Sequence, residues 1–336
     1  MIKVSYRDEL PTMPATVREF ANYKAGIQGC SEKTVGEYVL DLRTFFRYLT
    51  AVRNGISPDS DEFDKADLTS VDLDFVSSIS TEDIYEFLMY TGSVRGNGSR
   101  AKARKLSAIK AYFKYMTVKR HLLETNPAAD IETPKAKKSL PKFLTLEESL
   151  HLLDTVRSYP SERNKIRDYT IVTLFLNCGM RVSELVGINI NDLDPELRSL
   201  RVVGKGSKER IIYLNEACRA SLAEYLSERL GEKYRSVNEK ALFLSQQCKR
   251  MSVQSVQWMV YKYLDAAGYG ARHLSVHKLR HTAATLMYQS GEVDVRVLKD
   301  ILGHEQLNTT QIYTHVSDSS MQAAMENNPL SKIKPE

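Results

Sequence analysis

Five side chains of the kinds that handle phosphate chemistry fall within residues 275–316: His277, Arg280 and His281, then His304, then Tyr313. A guanidinium is a rigid fork of donors matched to phosphate oxygens, and an imidazole exchanges a proton near neutral pH. His277 and Arg280 are three residues apart, which on a helix puts them on one face. His304 follows Gly303, a residue that ends a helix and leaves room for the imidazole. Tyrosine is a poor nucleophile at its usual pKa of about 10, but among cations its phenolate becomes accessible and can attack phosphorus. Each residue also has a plainer reading. His277 and Arg280 are an ordinary surface pair on that view, and Tyr313 is one of eighteen tyrosines.

The elements that must carry these groups follow from periodicity. In the second half, Thr145 and Glu148 form a capping box before Leu150, Leu152 and Leu153. A buried-type helix is predicted over 163–177, ended by Gly179, with Arg181 just before a short helix that Ser183 would cap. Strands are expected only here, over 200–203 and 210–214, joined by GKGSKE as a hairpin. Helices follow over 215–231 and 252–267, with a short apolar run at 242–244. From Val276 to about Val316 three helical segments are separated by Ser290-Gly291 and by Gly303.

The first third reads as four helices, near 14–27, 31–53, 81–89 and 99–121, enough for a small bundle. The last is amphipathic. Leu106, Ile109, Tyr112, Phe113 and Met116 point inward, while Arg100, Lys102, Arg104, Lys105, Lys110 and Lys114 mostly point out. Charge is segregated. Residues 59–86 hold ten acids against one base, and residues 100–142 hold twelve lysines and arginines against three acids. Such a basic stretch is the footprint of a nucleic-acid binder, although a solvated face gives the same run. The acidic connection 54–80 is expected to be an exposed insertion or an interaction surface. Residues 131–142, IETPKAKKSLPK, have linker composition, and Lys135, Lys137 and Lys138 there would track a phosphate backbone. The expected organisation is a helical domain at 1–130, a basic linker at 131–142 and a second domain at 143–336.

Several classes drop out. No run of eighteen apolar residues suggests a membrane span, and the start MIKVSYRDELPTM lacks the apolar core of a secretory signal. Cys30, Cys178, Cys218 and Cys248 are scattered without a CxxC, so neither a disulfide nor zinc is expected. No GxxxxGK[ST] loop and no carboxylate cluster of the two-metal kind is visible.

The run HKLRHTAAT, then LGH, then TTQIYTH, resembles the tyrosine recombinase family, and most closely its Xer-type bacterial members. Arg181 in NCGMRVSELVGI matches the family's first arginine, in its GxRxSEL motif. Lys205 in VVGKGSKER matches the hairpin lysine, His277 and Arg280 the HxxR pair, His304 the second histidine and Tyr313 the nucleophile. The motif resemblance covers roughly 145–316, and the first domain is similar in outline only. The acidic connection is longer than in compact Xer members. The resemblance implies a mainly α fold with a small β-hairpin: a four-helix SAM-like DNA-clamping domain, then a catalytic domain of the DNA breaking-rejoining kind. It also implies DNA cleavage through a 3′-phosphotyrosyl link, with no metal, ATP or other cofactor. Arg181 and Arg280 would clamp the phosphate, Lys205 would act as general acid, His277 as acid/base partner, and His304 as hydrogen-bond donor. Arg100, Lys102, Arg104, Lys105, Lys208 and Arg210 are the further expected DNA contacts, Lys208 and Arg210 serving either the DNA backbone or the hairpin. Glu184 either orients Arg181 or complements its helix dipole; His281 and His315 are read as supporting residues. The partners implied are a duplex recombination site and a homo- or hetero-tetramer on two duplexes, joined through the tail after Ser317. The location implied is cytoplasmic, at the nucleoid. The alternatives are an integrase of a mobile element, a type IB topoisomerase and a non-catalytic DNA organiser.

Overall fold

The computed structural model describes residues 5–303 except 59, 61, 135–142, 161–163, 205–207, 232–238 and 291–293. The chain divides into two compact units, Met1–Lys138 and Ser139–Glu336.

The first unit is helical: α1 (Tyr6–Glu9), α2 (Ala15–Asn22), α3 (Glu32–Arg53), α4 (Leu73–Ser77), α5 (Thr81–Ser93) and α6 (Ser99–Lys114). Ser31 caps α3, its hydroxyl accepting the Thr34 N–H. Ser80, not Thr81, caps α5 through a reciprocal exchange with Asp83, and the helix runs past Met89 to Ser93. The core is aromatic. Phe20 and Phe46 meet the Tyr112 ring edge-on at 5.8 and 5.6 Å, and all three side chains are fully buried. Such pairs add about 0.5–1.5 kcal/mol each beyond burial.

Two expectations are corrected here. The acidic connection 54–80 is not a simple exposed insertion. Phe63, Leu68, Val71, Val76 and Ile79, spaced between its acids, are buried in the bundle core, and α4 forms within it. The acids serve as outward faces and caps; Asp72 accepts the Phe75 N–H, and Asp64 pairs with Arg47. Lys105 does not face out. It is 8% exposed, its ammonium 3.0 Å from the buried carboxylate of Asp41. It lies next to Leu106 on the inward stripe of α6, where a lysine needs a paired anion.

The second unit is built around α8 (Lys165–Cys178), buried almost all round from Arg167 to Cys178. A helix apolar on every side belongs at the centre of a larger unit, and α7 (Leu146–Ser158), α10 (Glu216–Arg229) and α12 (Val276–Gln289) pack about it. The capping box of Thr145 with Glu148 starts α7. Between α9 (Val182–Gly187) and α10 lies an antiparallel pair, β1 (Ser199–Val203) and β2 (Glu209–Tyr213). Leu200 stands opposite Ile212 and Val202 opposite Arg210, and the three apolar members of these pairs are buried. One face of the ribbon therefore closes the core. Helices α11 (Val253–Ala266) and α13 (Val295–Leu302) complete the described part. The run 242–244 forms no strand among the described residues; isolated bridges join Asn189 with Ala241 just before it and its last residue, Leu244, with Arg250. Cys178 and Cys218 are buried free thiols whose sulfurs stand 3.7 Å apart.

Candidate active site

Three guanidinium groups meet at the C-terminal turn of α13. Arg210 donates to the carbonyl of Ile301, Arg280 to that of Leu302 at 2.6 Å, and Arg181 to that of Gly303 at 2.9 Å. The last carbonyls of a helix lack intrahelical partners and carry the negative end of its dipole, so cations gather there. Arg280 also donates to the carbonyl of Gly179 at 2.6 Å, tying the end of α8 to the same point.

Two left-handed glycines make this approach possible. Gly179 and Gly303, at φ of 58° and 63°, end α8 and α13. A Cβ at Gly179 would come within 2.9 Å of a Leu302 methyl, and one at Gly303 within 3.0 Å of the Arg210 Nε.

Arg181 occupies the N-cap of α9, so Ser183 falls inside the helix instead of capping it. The cap's work is done by Glu184, whose carboxylate accepts the Arg181 backbone N–H at 2.7 Å and the Arg181 Nη1 at 2.7 Å. The same carboxylate accepts from Arg210 Nη2 at 2.9 Å, and its side chain is fully buried. Burial pushes the Glu184 pKa up, but the Arg181 N–H, the Arg210 charge and the guanidinium hydrogen bonds outweigh it. The carboxyl is held below its ordinary value and is ionised at neutral pH.

His277 is exposed on the first turn of α12, while Arg280, one turn on, is buried. Partial desolvation lowers the His277 pKa below 6.5, and the charges of Arg280, Arg181 and Lys278 push the same way. His277 is thus mainly neutral at pH 7 and able to accept a proton. Burial, followed by the Lys278, His277 and Arg280 charges, takes His281 down to about 4.

Of the sequence-predicted set, Arg181, His277 and Arg280 are described. Lys205, His304 and Tyr313 lie outside the described residues, as do Lys135, Lys137, Lys138, His315 and the tail from Ser317. The described chain stops beside two of them. Gly303 directly precedes His304, and Gly204, whose N–H donates to the Lys208 carbonyl at 2.7 Å, directly precedes Lys205. A Cβ on Gly204 would lie 3.4 Å from the Glu184 carboxylate. Arg100 and Lys208 are exposed and Lys102 is half-buried. Arg104 is exposed but paired with Glu37 and Asp41 at 2.5 and 2.8 Å. Arg210, like Lys105, is not placed as an outward DNA contact. Its side chain, 16% exposed, points to the buried face of the ribbon. The signal was present in the sequence: Arg210 is in step with Ile212 and Leu214, and residues two apart on a strand share a face.

A mainly helical unit with one β-ribbon gathers three arginines about one helix end, with a neutral histidine within the field of two of them, a set of groups suited to a phosphodiester. Residues 142–320 match the model of the phage integrase family, and the chain belongs to that family. Within it the chain is a Xer-type tyrosine site-specific recombinase, an enzyme that cuts and rejoins DNA. The tyrosine recombinase XerC of Caldanaerobacter subterraneus subsp. tengcongensis is 44% identical over 319 residues, spanning 95% of this chain and 88% of the relative. That of Thermodesulfovibrio yellowstonii is 32% identical over 322 residues, spanning 94% and 97%. Among solved structures, the XerH site-specific recombinase bound to its difH substrate before cleavage shares the fold with a TM-score of 0.69 at 22% identity, covering 97% of this chain and 98% of that one. A lambda integrase dimer on a COC′ core site has a TM-score of 0.61 at 17% identity, covering 88% and 96%.

Proposed function

We propose that this protein resolves chromosome or plasmid dimers by recombining two copies of a specific duplex site. The observation that carries the chemistry is the convergence of Arg181 and Arg280 on the turn that leads into His304. Near full-length similarity to relatives named XerC favours dimer resolution over integration.

In this reading the Tyr313 hydroxyl attacks the scissile phosphorus while its proton passes to His277. The bond from phosphorus to the 5′-oxygen breaks, and Lys205 protonates that oxygen. The products are a 3′-phosphotyrosine and a free 5′-hydroxyl, and attack by a 5′-hydroxyl of the second duplex reverses the steps and joins the strands. Arg181 and Arg280 hold the non-bridging oxygens and neutralise charge as it builds, and His304 donates a hydrogen bond to them. Four protomers, of one kind or two, act on two duplexes, with the tail after Ser317 linking neighbours. Arg100, Lys102 and Lys208, with the linker Lys135, Lys137 and Lys138, contribute backbone contacts. Arg104 contributes only if DNA displaces its carboxylates, and Lys105 is spent on Asp41. The protein works where its DNA is, at the nucleoid in the cytoplasm.

The test is a nicked suicide substrate carrying the target site, followed by a denaturing gel. A covalent adduct should form with the natural protein and be absent with Tyr313→Phe; an adduct that persists in that variant removes the nucleophile assignment. Arg181→Ala and Arg280→Ala should bind DNA yet cleave at least about 100-fold more slowly. A plasmid with two directly repeated sites should resolve into two circles, whereas insertion into an unrelated acceptor would favour the mobile-element reading.

A further inference from the structure

The geometry points to Arg210 as a positioning residue of the cleavage site: through Glu184 it fixes the clamp guanidinium of Arg181, and through Ile301 it holds the α13 terminal turn in place. Arg210 sits on β2 and makes two bonds that join distant segments, one to the Glu184 carboxylate at 2.9 Å and one to the Ile301 carbonyl. Glu184 in turn takes both the main-chain N–H and Nη1 of Arg181, so one buried carboxylate is shared by two guanidiniums. Arg181 and Arg210 also reach the same turn of α13, at Gly303 and Ile301. The four groups form a closed circuit: β2 to α9, α9 to the end of α13, and back to β2.

A closed circuit of this kind restricts rotation of Arg181 more than its single pairing with Glu184 would. With Arg210 removed, the fully buried Glu184 would keep one guanidinium instead of two, and its Oε2, left with the Arg181 main-chain N–H alone, would draw the Arg181 side chain inward, away from a phosphate. The end of α13 would lose one of its three cationic contacts at the same time. Charge accounting points the same way. Arg181, Arg210 and Arg280 stand against the single Glu184 carboxylate, which leaves the cluster positive and suited to a phosphodiester anion. Arg210 itself is 16% exposed, and its Nε is buried with no hydrogen-bond partner among the described residues. That is the position of a strut and not of a residue that grips DNA.

This inference rests on the reading of Arg181 as the phosphate clamp, and the experiment separates the two. Two suicide substrates are compared, one with a normal scissile phosphodiester and one with a methylphosphonate there, which removes the charge of one non-bridging oxygen and so the need for a well-placed clamp. Arg210→Met should bind DNA with an unchanged salt dependence, form the covalent adduct about 100-fold more slowly on the phosphodiester, and recover to within about fivefold of the natural protein on the methylphosphonate. An equal defect on both substrates, no defect on either, or a fall of about one in the salt slope of binding would overturn it, the last marking a direct phosphate contact. Arg181→Ala is the control. If it recovers on the methylphosphonate and Arg210→Met does not, only the positioning role falls; if it does not recover, the clamp reading itself falls. Thermal unfolding checks that the variants fold, and Arg210→Lys, which keeps the charge but not the fork, carries the same comparison should the methionine variant not fold.

Discussion

His277 bears the clearest residue-scale consequence. Its pKa lies below 6.5 because desolvation and then three neighbouring cations disfavour the imidazolium. In its proposed role as acceptor of the tyrosine proton His277 must be deprotonated to act, so cleavage would be available above that pKa and lost as pH falls through it. The rate of adduct formation at subsaturating DNA, which reports the free enzyme, should therefore fall on the acid side with a midpoint below pH 6.5. His277→Ala should lower the plateau and remove that acid limb; a limb that stays in this variant belongs to another group. At Gly303 the constraint is steric. Gly303→Ala puts a β-carbon on a backbone at φ 63° and presses it to 3.0 Å from Arg210. The left-handed conformation alone costs about 1–2 kcal/mol, so the variant should unfold at lower urea and cleave more slowly even where it remains folded.

At the scale of elements, α3 and α6 are tied by a charge that the core cannot leave alone. Asp41 is 2% exposed and takes Lys105 at 3.0 Å and Arg104 at 2.8 Å. Burial raises its pKa even against the hydrogen bond and charge of Lys105 and the charge of Arg104. Removing one partner of such a pair leaves the other buried and uncompensated. Asp41→Ala should destabilise the protein by about 3–5 kcal/mol in urea unfolding, whereas the double replacement Asp41→Leu with Lys105→Met should recover most of that. If the single variant costs under about 1 kcal/mol, Lys105 has found solvent or another anion. The β-ribbon shows the opposite arrangement. Its outward residues Arg201, Val203, Ile211 and Tyr213 are exposed, while its inward face is committed to the core and, at Arg210, to the circuit around Glu184.

For the whole molecule the question is assembly. The tail after Ser317 carries Met321, Ala324 and Met325 at helical spacing, a pattern that suits docking on a neighbouring protomer. A protein truncated after Ser317 keeps His277, Arg280, His304 and Tyr313, the four residues of the 275–316 stretch proposed to act in cleavage. It should bind one site with unchanged affinity and still form the covalent adduct, yet fail to bring two sites together in a native gel. If paired complexes survive truncation, the tail packs on its own protomer. Joining strands from two sites requires the sites to meet, so a truncated form that cannot pair them should also give no resolved circles.

Much was legible from the chain alone because it depends on local physics. The capping box at Thr145, the left-handed stop at Gly179, the hairpin at GKGSKE and the identities of Arg181, His277 and Arg280 are set by residue type and spacing. Neighbours a few positions apart decide them. What depended on distant partners was not legible in the same way. The run of acids at 54–80 reads as surface, yet five apolar residues among them enter the bundle core, since charge counts do not register which side chains find a core to fill. Lys105 reads as one more cation on a basic helix until Asp41, 64 positions earlier, meets it in the core. Arg210 reads as a hairpin cation until Glu184 and Ile301 close around it. The sequence by itself determined the family and the residue types that meet a phosphate, because those are properties of side chains. Only the tertiary structure decided that Arg181, Arg210 and Arg280 share the end of one helix, because hydrogen bonds between segments 22, 91 and 122 residues apart exist only after the chain has packed.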